Sequence, residues 1–324
     1  MPEPSLLYLS EADVARVALP PDSAREAVAA TFAAHHATRA GVKPKLSLEI
    51  APGHSFQSMC AASAEAGVAI NKWLGIAPLV AGSTGASIHA MVALNDYRSG
   101  RLLAVMDGNL LTAIRTAAMS ALAARHLASP SPETIAFIGC GLQAHSHLAA
   151  LHALYPGLRR VRAISRTPRS ADALVSAAAA RGLQAAASSD PAAVIAESDL
   201  VVTTVPMHAG FRPFLDPAWL RPGSFAAAVD VGRSWMAPGL AALDIRATDD
   251  RSQAGELAKA LGLGDPAPFH ADLAELASGA VRGRTDPRQR AMFVFRGFAL
   301  GDLAVAARIY ESARSAGIGT VLAR

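Results

Sequence analysis

Apolar and polar positions repeat with different periods in the two halves of the chain. Near the N-terminus the pattern predicts a short strand over residues 6–9, a helix that begins at a capping-box-like pair of Ser10 and Asp13, and an amphipathic helix over residues 22–39. Alternating runs separated by Pro, Gly and Asp predict further strands over residues 46–50, 54–59, 68–74, 87–94 and 102–106. We therefore expect a mostly antiparallel sheet in this part of the chain.

Helices and short apolar strands alternate in the second half. A helix over residues 109–128 leads through a Ser-Pro-Ser-Pro segment, residues 129–132, to strands near residues 134, 161, 183, 199, 224 and 244. This alternation is typical of βαβ winding. A last helix over residues 298–316 is expected to return to the first domain. The predicted organisation is a discontinuous domain of residues 1–125 with 300–324, and a second domain of residues 126–299.

A glycine turn stands between the strand near residue 134 and the helix that follows it. Gly139 permits a tight turn, and Gly141 permits the backbone to approach a pyrophosphate at the helix N-terminus. Leu142 and Gln143 open the helix, and Ala144 is small enough for close packing against the strand. The competing interpretation is an ordinary glycine turn, but the flanking strand and helix favour a Rossmann dinucleotide-binding domain.

The end of the next strand indicates which dinucleotide is preferred. NAD-binding domains usually carry an acidic residue there, which accepts from the ribose 2′-hydroxyl. This chain instead has Ser165, Arg166, Thr167 and Arg169, whose hydroxyls and cations suit a 2′-phosphate. We therefore expect NADPH as the cofactor, with NADH as the alternative. The competing interpretation is a solvated surface turn.

Composition narrows the class of protein. A chain of 324 residues that is 52% hydrophobic and 17% charged predicts a two-domain enzyme. Although the net charge is +4, the basic residues are scattered, so the expected partner is an anionic small molecule and not nucleic acid. No zinc spacing is present, so no metal site is expected. The uncharged stretch of residues 73–94 is too polar and too interrupted for a membrane span, and the absence of a signal pattern predicts a cytoplasmic protein.

Five segments carry a family resemblance. They are residues 67–72, 94–108, 111–118, 138–144 and 297–304. On these segments the chain resembles the ornithine cyclodeaminase and μ-crystallin family. The resemblance implies a Rossmann domain joined to an α+β substrate-binding and dimerisation domain with a mostly antiparallel sheet, in a homodimer. It also implies chemistry at the Cα of an imino or amino acid that carries a carboxylate.

The same resemblance implies roles for individual residues. Arg115 matches the arginine that bridges substrate carboxylate and cofactor, and Lys72 matches a lysine that gives or takes a proton. Lys45 lies near the first substrate-binding arginine of the family. The further expected cofactor contacts are Ser87, Thr204 and Val229. From the residues alone, Arg115 is also compatible with a solvated charge on a helix, and Lys72 with an edge residue whose amine reaches water.

Departures from the family pattern indicate the reaction. Gln57 and Gly232 stand where cyclodeaminases carry acidic residues, and Asp230 falls two residues before Gly232. Arg296 follows Phe295 where the family has a smaller pair, which predicts a compact ring as substrate and Arg296 as a substrate contact. A cyclodeaminase is therefore disfavoured, and Asp230 becomes a candidate acid or orienting carboxylate.

The expected activity is NAD(P)H-dependent reduction of a cyclic imino acid. The named substrates are Δ1-pyrroline-2-carboxylate and Δ1-piperideine-2-carboxylate, which would give L-proline and L-pipecolate. Lys45, Lys72 and Arg115 are expected to hold the carboxylate, while Lys72 or Asp230 keeps the ring nitrogen protonated. The alternatives are an ornithine cyclodeaminase, which releases ammonia, and a non-catalytic NADPH-dependent binding protein.

Overall fold

The chain divides into two compact units. The computed structural model describes residues 5–51, 53–77, 88–206, 210–240, 242–255 and 269–323. The first unit comprises residues 1–115 and 298–324, and the second comprises residues 116–297. The boundary falls inside a continuous helix, Asn109–Leu127, upstream of the boundary at residue 125 that the sequence predicts.

The first unit contains an eight-stranded sheet and the helices that belong to it. Its strands are β1 Ser5–Leu9, β2 Ala40–Val42, β3 Leu46–Ala51, β4 His54–Ser63, β5 Val68–Ile76, β6 Ile88–Asp96, β7 Leu102–Asp107 and β16 Thr320–Ala323. Its helices are α1 Glu11–Val17, α2 Pro21–His36, the start of α3 Asn109–Leu127, and α9 Ala299–Ala316. The Ser10–Asp13 capping box is present at the start of α1.

The sheet of the first unit runs in the order β16-β1-β7-β6-β5-β4-β2, with β3 paired to β4. All neighbours are antiparallel except β1 and β7, which are parallel. The alternation of side chains along β5 sends Val68, Ile70 and Leu74 into the core, and α9 packs over this face of the sheet. Lys72 is an even-numbered position of the same strand, so its side chain points to the same face and is buried with these apolar residues.

The second unit contains a sheet in which every pairing is parallel. Its strands are β8 Thr134–Ile138, β9 Arg160–Ile164, β10 Gln184–Ala187, β11 Leu200–Thr203, β12 Phe225–Ala228, β13 Ile245–Thr248, β14 Ala271–Asp272 and β15 Ala291–Val294. Its helices, besides the end of α3, are α4 Leu142–Leu154, α5 Pro168–Ala179, α6 Pro191–Ala196, α7 Ala237–Leu240 and α8 Leu273–Ser278, and single 3-10 turns occupy Pro217–Trp219 and Arg251–Gln253.

The strand order of this second sheet is β10-β9-β8-β11-β12-β15-β13-β14. Because all strands are parallel, their carboxyl ends share one edge, where doubly wound folds bind ligands. An α/β fold with a parallel sheet and a mostly antiparallel sheet is thus confirmed. The pattern analysis did not predict β2, β14, β15 or β16, each of four residues or fewer. Within the described ranges, no helix is both long and apolar enough to span a membrane.

Candidate functional site

A buried carboxylate joins two buried cations in the first unit. Lys72 Nζ lies 3.0 Å from Asp302 Oδ1, and Arg115 Nε lies 3.1 Å from the same oxygen. Lys72 is 2% exposed and Asp302 is 0% exposed. The three residues come from β5, α3 and α9, so they are distant in the chain and adjacent only in the folded unit.

The local structure explains how Asp302 is accommodated. It lies in the first turn of α9, where the helix dipole stabilises a negative charge. The helix is buried on most of its surface, which leaves the carboxylate little access to solvent. Oδ2 of Asp302 has no hydrogen-bond partner among the described residues. The cluster therefore contains an acceptor that a ligand N–H or a water molecule can satisfy.

Burial lowers the pKa of Lys72 to about 8. Asp302 opposes this shift, while the positive charges of Arg115 and Lys45 add to it. The half-buried Lys45 therefore belongs to the same electrostatic group as the other three residues. A group of three cations and one carboxylate suits a ligand carboxylate, and an amine of this pKa can exchange a proton near neutral pH.

The second unit offers a dinucleotide cradle at the end of β8. Gly139 has φ +92°, and a Cβ there would lie 2.8 Å from the Thr204 carbonyl oxygen. Thr204 Oγ1 in turn donates to the Gly139 carbonyl at 2.9 Å. Gly141 precedes α4 without any side-chain cap, and a Cβ on it would meet nothing within 4 Å. The turn is thus closed on the protein side and open where a phosphate group would approach the helix N-terminus.

Residues at the neighbouring strand ends extend this edge. β8 lies between β9 and β11, which is the crossover point where such sheets bind nucleotides. After β9, Ser165 is half-buried while Arg166 and Arg169 are exposed, and no acidic residue occurs from 165 to 169. Thr167 Oγ1 shares a hydrogen bond with the Ser170 hydroxyl. The remaining predicted contacts on this edge are Leu142, Gln143 and Ala144 in the first turn of α4, Val229 after β12 and Arg296 after β15.

Asp230 is held in place by two hydroxyl groups. Thr203 Oγ1 donates to its Oδ1 at 2.9 Å, and Ser234 Oγ donates to its Oδ2. Burial raises the pKa of Asp230, although the two hydroxyls and nearby Arg233 partly oppose the shift. These contacts favour an orienting carboxylate, and its assignment as a catalytic acid stays a prediction. Ser87 lies outside the described residues.

Sequence reasoning assigned no role to Asp302. The available signal was its place in residues 297–304, one of the segments that carry the family resemblance. A second carboxylate without an assigned role is Asp249, at the end of β13, which accepts from the Gly297 N–H at 2.9 Å. Burial raises the pKa of Asp249 to about 6. In the ranges that the structure describes, no group of three or more His, Cys, Asp or Glu residues is arranged to hold a metal ion.

Comparison with known proteins places these features in context. A family model described as the ornithine cyclodeaminase/mu-crystallin family matches residues 9–317. Alanine dehydrogenase of Archaeoglobus fulgidus is 30% identical over 311 residues, which is 92% of each chain. Δ1-pyrroline-2-carboxylate reductase of Bacillus cereus is 30% identical over 244 residues, 72% of this chain and 74% of that one. The solved structure of an archaeal alanine dehydrogenase dimer with bound NAD has a TM-score of 0.85 at 26% identity, over 98% of this chain and 99% of that one.

Proposed function

We propose that this chain, which belongs to the ornithine cyclodeaminase/mu-crystallin family, is an NAD(P)H-dependent reductase of a cyclic imino acid. The substrate is Δ1-pyrroline-2-carboxylate or Δ1-piperideine-2-carboxylate, and the product is L-proline or L-pipecolate. The observation that carries the proposal is the buried cluster of Lys72, Arg115 and Asp302, which supplies carboxylate-binding cations and a titratable amine. The Bacillus cereus relative is named for this reaction.

The cations of the cluster hold the substrate carboxylate. Arg115 offers the planar fork that matches a carboxylate, and the Asp302 carboxylate balances its charge at 3.1 Å from Nε. Lys45 and Lys72 add point charges. This arrangement orients the imine carbon, and correct orientation supplies a large part of the rate enhancement in such reactions.

Lys72 keeps the ring nitrogen protonated. With a pKa of about 8, its ammonium form predominates near neutral pH and is acidic enough to share its proton with an imine. The unpaired Oδ2 of Asp302 accepts a hydrogen bond from the resulting N–H. Asp230, whose carboxylate accepts from the Thr203 hydroxyl, is kept as a candidate acid or orienting carboxylate.

The residues of the second unit fit a nicotinamide dinucleotide. Gly141 leaves the N-terminus of α4 open, and the turn at Gly139 aims its backbone at a phosphate. Ser165 and Arg166 favour NADPH over NADH. When bound, the cofactor supplies the hydride that the imine carbon accepts.

Steady-state kinetics with the purified full chain test the proposal. We expect NADPH oxidation that depends on Δ1-pyrroline-2-carboxylate and matches L-proline formation one to one. L-ornithine with NAD+ should release little or no ammonia, because Gln57 of β4 supplies no carboxylate. Ammonia release at a rate comparable with imine reduction would make the cyclodeaminase alternative correct. Tight NADPH binding without turnover of any imine would support the non-catalytic alternative.

A second candidate is amino-acid dehydrogenation of the alanine dehydrogenase type. It is favoured by the A. fulgidus relative, whose match covers 92% of this chain. The same carboxylate-binding cations and cofactor serve an acyclic imine formed from pyruvate and ammonia. Pyruvate with ammonium and NADPH is therefore the competing assay, and a higher kcat/KM there than with the cyclic imine would favour this candidate.

We also propose that two copies associate through the outer face of the first sheet. Register pairs Leu46 with Ser58, Ser58 with Trp73 and Trp73 with Met91, so these side chains share one face, opposite that of Lys72. The exposed apolar side chains on or beside this face include Tyr8, Leu46, Leu48, Trp73 and Met91. An exposed apolar surface of this kind typically marks a protein interface. The archaeal alanine dehydrogenase is itself a dimer.

Sedimentation velocity tests the dimer. We expect the chain to sediment at twice its 33.4 kDa mass, and Trp73→Glu to shift it toward the monomer. Phe214→Glu, at an exposed apolar side chain of the second unit, is the matched control and should leave the mass unchanged. A monomeric wild-type chain at micromolar concentration would contradict the proposal.

A further inference from the structure

The amine of Lys72 has the surroundings of a nucleophile that attacks carbonyl groups. It is 2% exposed and lies among the apolar residues on the buried face of β5. Burial lowers the pKa of Lys72 to about 8; the charges of Arg115 and Lys45 act in the same direction, and Asp302 opposes them. A lysine that is desolvated and set beside another cation is activated for imine formation, because part of its amine is uncharged near neutral pH.

A group that binds carboxylates lies directly beside this amine. Lys72 Nζ is 3.0 Å from Asp302 Oδ1, and Arg115 Nε is 3.1 Å from the same oxygen, so the amine and the guanidinium are neighbours within the first unit. A guanidinium binds a carboxylate through parallel N–H donors. A ligand whose carboxylate binds Arg115 therefore brings the adjoining carbon of its skeleton close to Lys72. In an α-keto acid that adjoining carbon is the ketone carbon.

Asp302 supplies a proton carrier at the same place. Its Oδ1 contacts both cations, while its Oδ2 is buried and has no hydrogen-bond partner among the residues that the structure describes. Imine formation needs such a group, because the attacking amine must lose its protons and the hydroxyl of the addition product must gain one to leave as water. A carboxylate 3.0 Å from the amine can accept a proton and return it to that hydroxyl. The first unit thus combines nucleophile, carboxylate anchor and proton carrier.

We propose that Lys72 forms a reversible covalent imine with an α-keto acid, which makes such acids a second class of ligand for this cluster. The neutral amine adds to the ketone carbon and forms a C–N bond, and the C–O bond then breaks to release one water molecule. No electrons are transferred, and hydrolysis restores the amine and the keto acid. The inference rests on the proposed function only in taking Arg115 as the group that holds the ligand carboxylate.

Reductive trapping tests the covalent imine. The purified full chain is incubated with pyruvate and sodium cyanoborohydride, which reduces the imine to a stable secondary amine that mass spectrometry detects. Acetone is the matched probe, because it has a ketone but no carboxylate, and we expect pyruvate to label the chain roughly ten- to a hundredfold faster. The chain has four lysines, at positions 43, 45, 72 and 259, and peptide mapping should place the label on Lys72.

Two lysine variants complete the test. Lys72→Arg keeps the charge, removes the nucleophilic amine and should abolish labelling by pyruvate. Lys43→Arg, at an exposed lysine after β2, is the control and should be labelled like the wild-type chain. A wild-type label at another position, or equal labelling by acetone and pyruvate, would overturn the inference even if Lys72→Arg fails to fold. Imine reduction without any pyruvate label would refute the covalent imine alone, whereas a label at Lys72 in a chain that reduces no imine would refute only the proposed function.

Discussion

The buried cluster of the first unit and the glycine turn of the second unit prepare for negatively charged ligands by opposite means. The cluster relies on side-chain charges, since Lys72 and Arg115 share one oxygen of Asp302. The turn relies on backbone, since Gly139 and Gly141 open a helix N-terminus that has no side-chain cap. When one member of the side-chain site is replaced, ligand binding and stability should fall because a buried charge loses its partner. When a glycine of the backbone site is replaced, they should fall because the new Cβ clashes with the protein or the ligand.

The largest effect is expected from Asp302→Asn, which removes the only carboxylate of the Lys72–Arg115–Asp302 cluster. Breaking a buried pair on one side typically costs about 3–5 kcal/mol, so we expect a large loss of stability and a more than hundredfold loss of kcat. Asp302 raises the pKa of Lys72, so without it the pKa should fall below 8. The alkaline limb of the pH–rate profile should then move to lower pH.

Glu311→Gln is the control on the same helix. Glu311 forms an exposed ion pair with Arg308, and such pairs contribute about 0–1 kcal/mol. Its melting temperature and pH–rate profile should match those of the wild-type chain. If Asp302→Asn kept the wild-type profile, Asp302 would not set the protonation of Lys72.

Arg115→Lys tests whether the side-chain site needs geometry as well as charge, because lysine keeps the positive charge but loses the two parallel N–H donors of the guanidinium. A charged bidentate contact is worth about 1.5–3 kcal/mol, which corresponds to a roughly ten- to hundredfold lower kcat/KM for the imine. Arg125→Lys, at an exposed position of the same helix α3, should have no effect. Near-normal kinetics for Arg115→Lys and Arg115→Ala alike would remove Arg115 from the substrate site.

The two glycines of the turn should separate folding from binding. Gly139→Ala places a Cβ 2.8 Å from the Thr204 carbonyl oxygen in left-handed backbone, so both the melting temperature and NADPH affinity should fall. Gly141→Ala meets no protein atom within 4 Å, so the melting temperature should hold while NADPH affinity falls by roughly tenfold. Calorimetric titration with NADPH measures the affinity, and thermal unfolding curves measure the melting temperature. Unchanged affinity in Gly141→Ala, as in the open control Gly157→Ala, would place the phosphates elsewhere.

A smaller effect is expected at the end of β9. Arg166→Ala should raise the KM for NADPH by about tenfold and leave the KM for NADH almost unchanged, because only NADPH has a 2′-phosphate. Arg181→Ala serves as the control for loss of one exposed charge. Tighter NADH than NADPH binding by the wild-type chain would reverse the cofactor assignment.

The smallest effect concerns a neutral buried group, His147, which belongs to neither site. Its Nδ1–H donates to the Gln143 carbonyl at 2.7 Å, and its Nε2 accepts from Ser120 Oγ at 2.9 Å. Burial lowers its pKa from 6.5 to about 4. The neutral form therefore stabilises the fold above pH 6.5, and this stabilisation is lost as the pH falls from 6.5 toward 4.

Melting curves between pH 4 and 8 measure this contribution. His147→Gln should lower the melting temperature by a few degrees at pH 7, and the difference from the wild-type chain should narrow toward pH 4. His36→Gln, at an exposed histidine of α2, should track the wild-type chain throughout. A constant difference across the range would mean that packing, and not protonation, explains the role of His147.

Local signals explain which parts were predictable. The glycine turn, the Ser10–Asp13 capping box and the helix that ends at Gly317 each depend on a few consecutive residues. The alternation along β5 was equally visible, but it did not show that Lys72 would face the core together with its apolar neighbours. Periodicity identifies a face of a strand, and only tertiary packing decides which charged residue a face can hold.

Non-local partners explain what was missed. Asp302 is 230 residues from Lys72 in sequence, so no local pattern could pair the two residues. The strand β16 needs β1 as its partner, and its four residues carry too little pattern to be recognised alone. The left-handed Val231 is likewise imposed by its surroundings, because no local propensity favours a β-branched residue there.

The discontinuity of the first unit imposes an order on biosynthesis. The ribosome releases Lys72 and Arg115 before any of the second unit, and releases Asp302 after all of it. Because unpaired cations are costly to bury, we expect the first sheet to bury Lys72 and Arg115 only after α9 has been made. The second unit is contiguous in sequence, so it can fold while the strands of residues 1–115 are still incompletely packed. Residues 298–324 therefore complete a unit whose other strands are made much earlier, and a chain cut before Asp302 leaves that unit without its counter-charge.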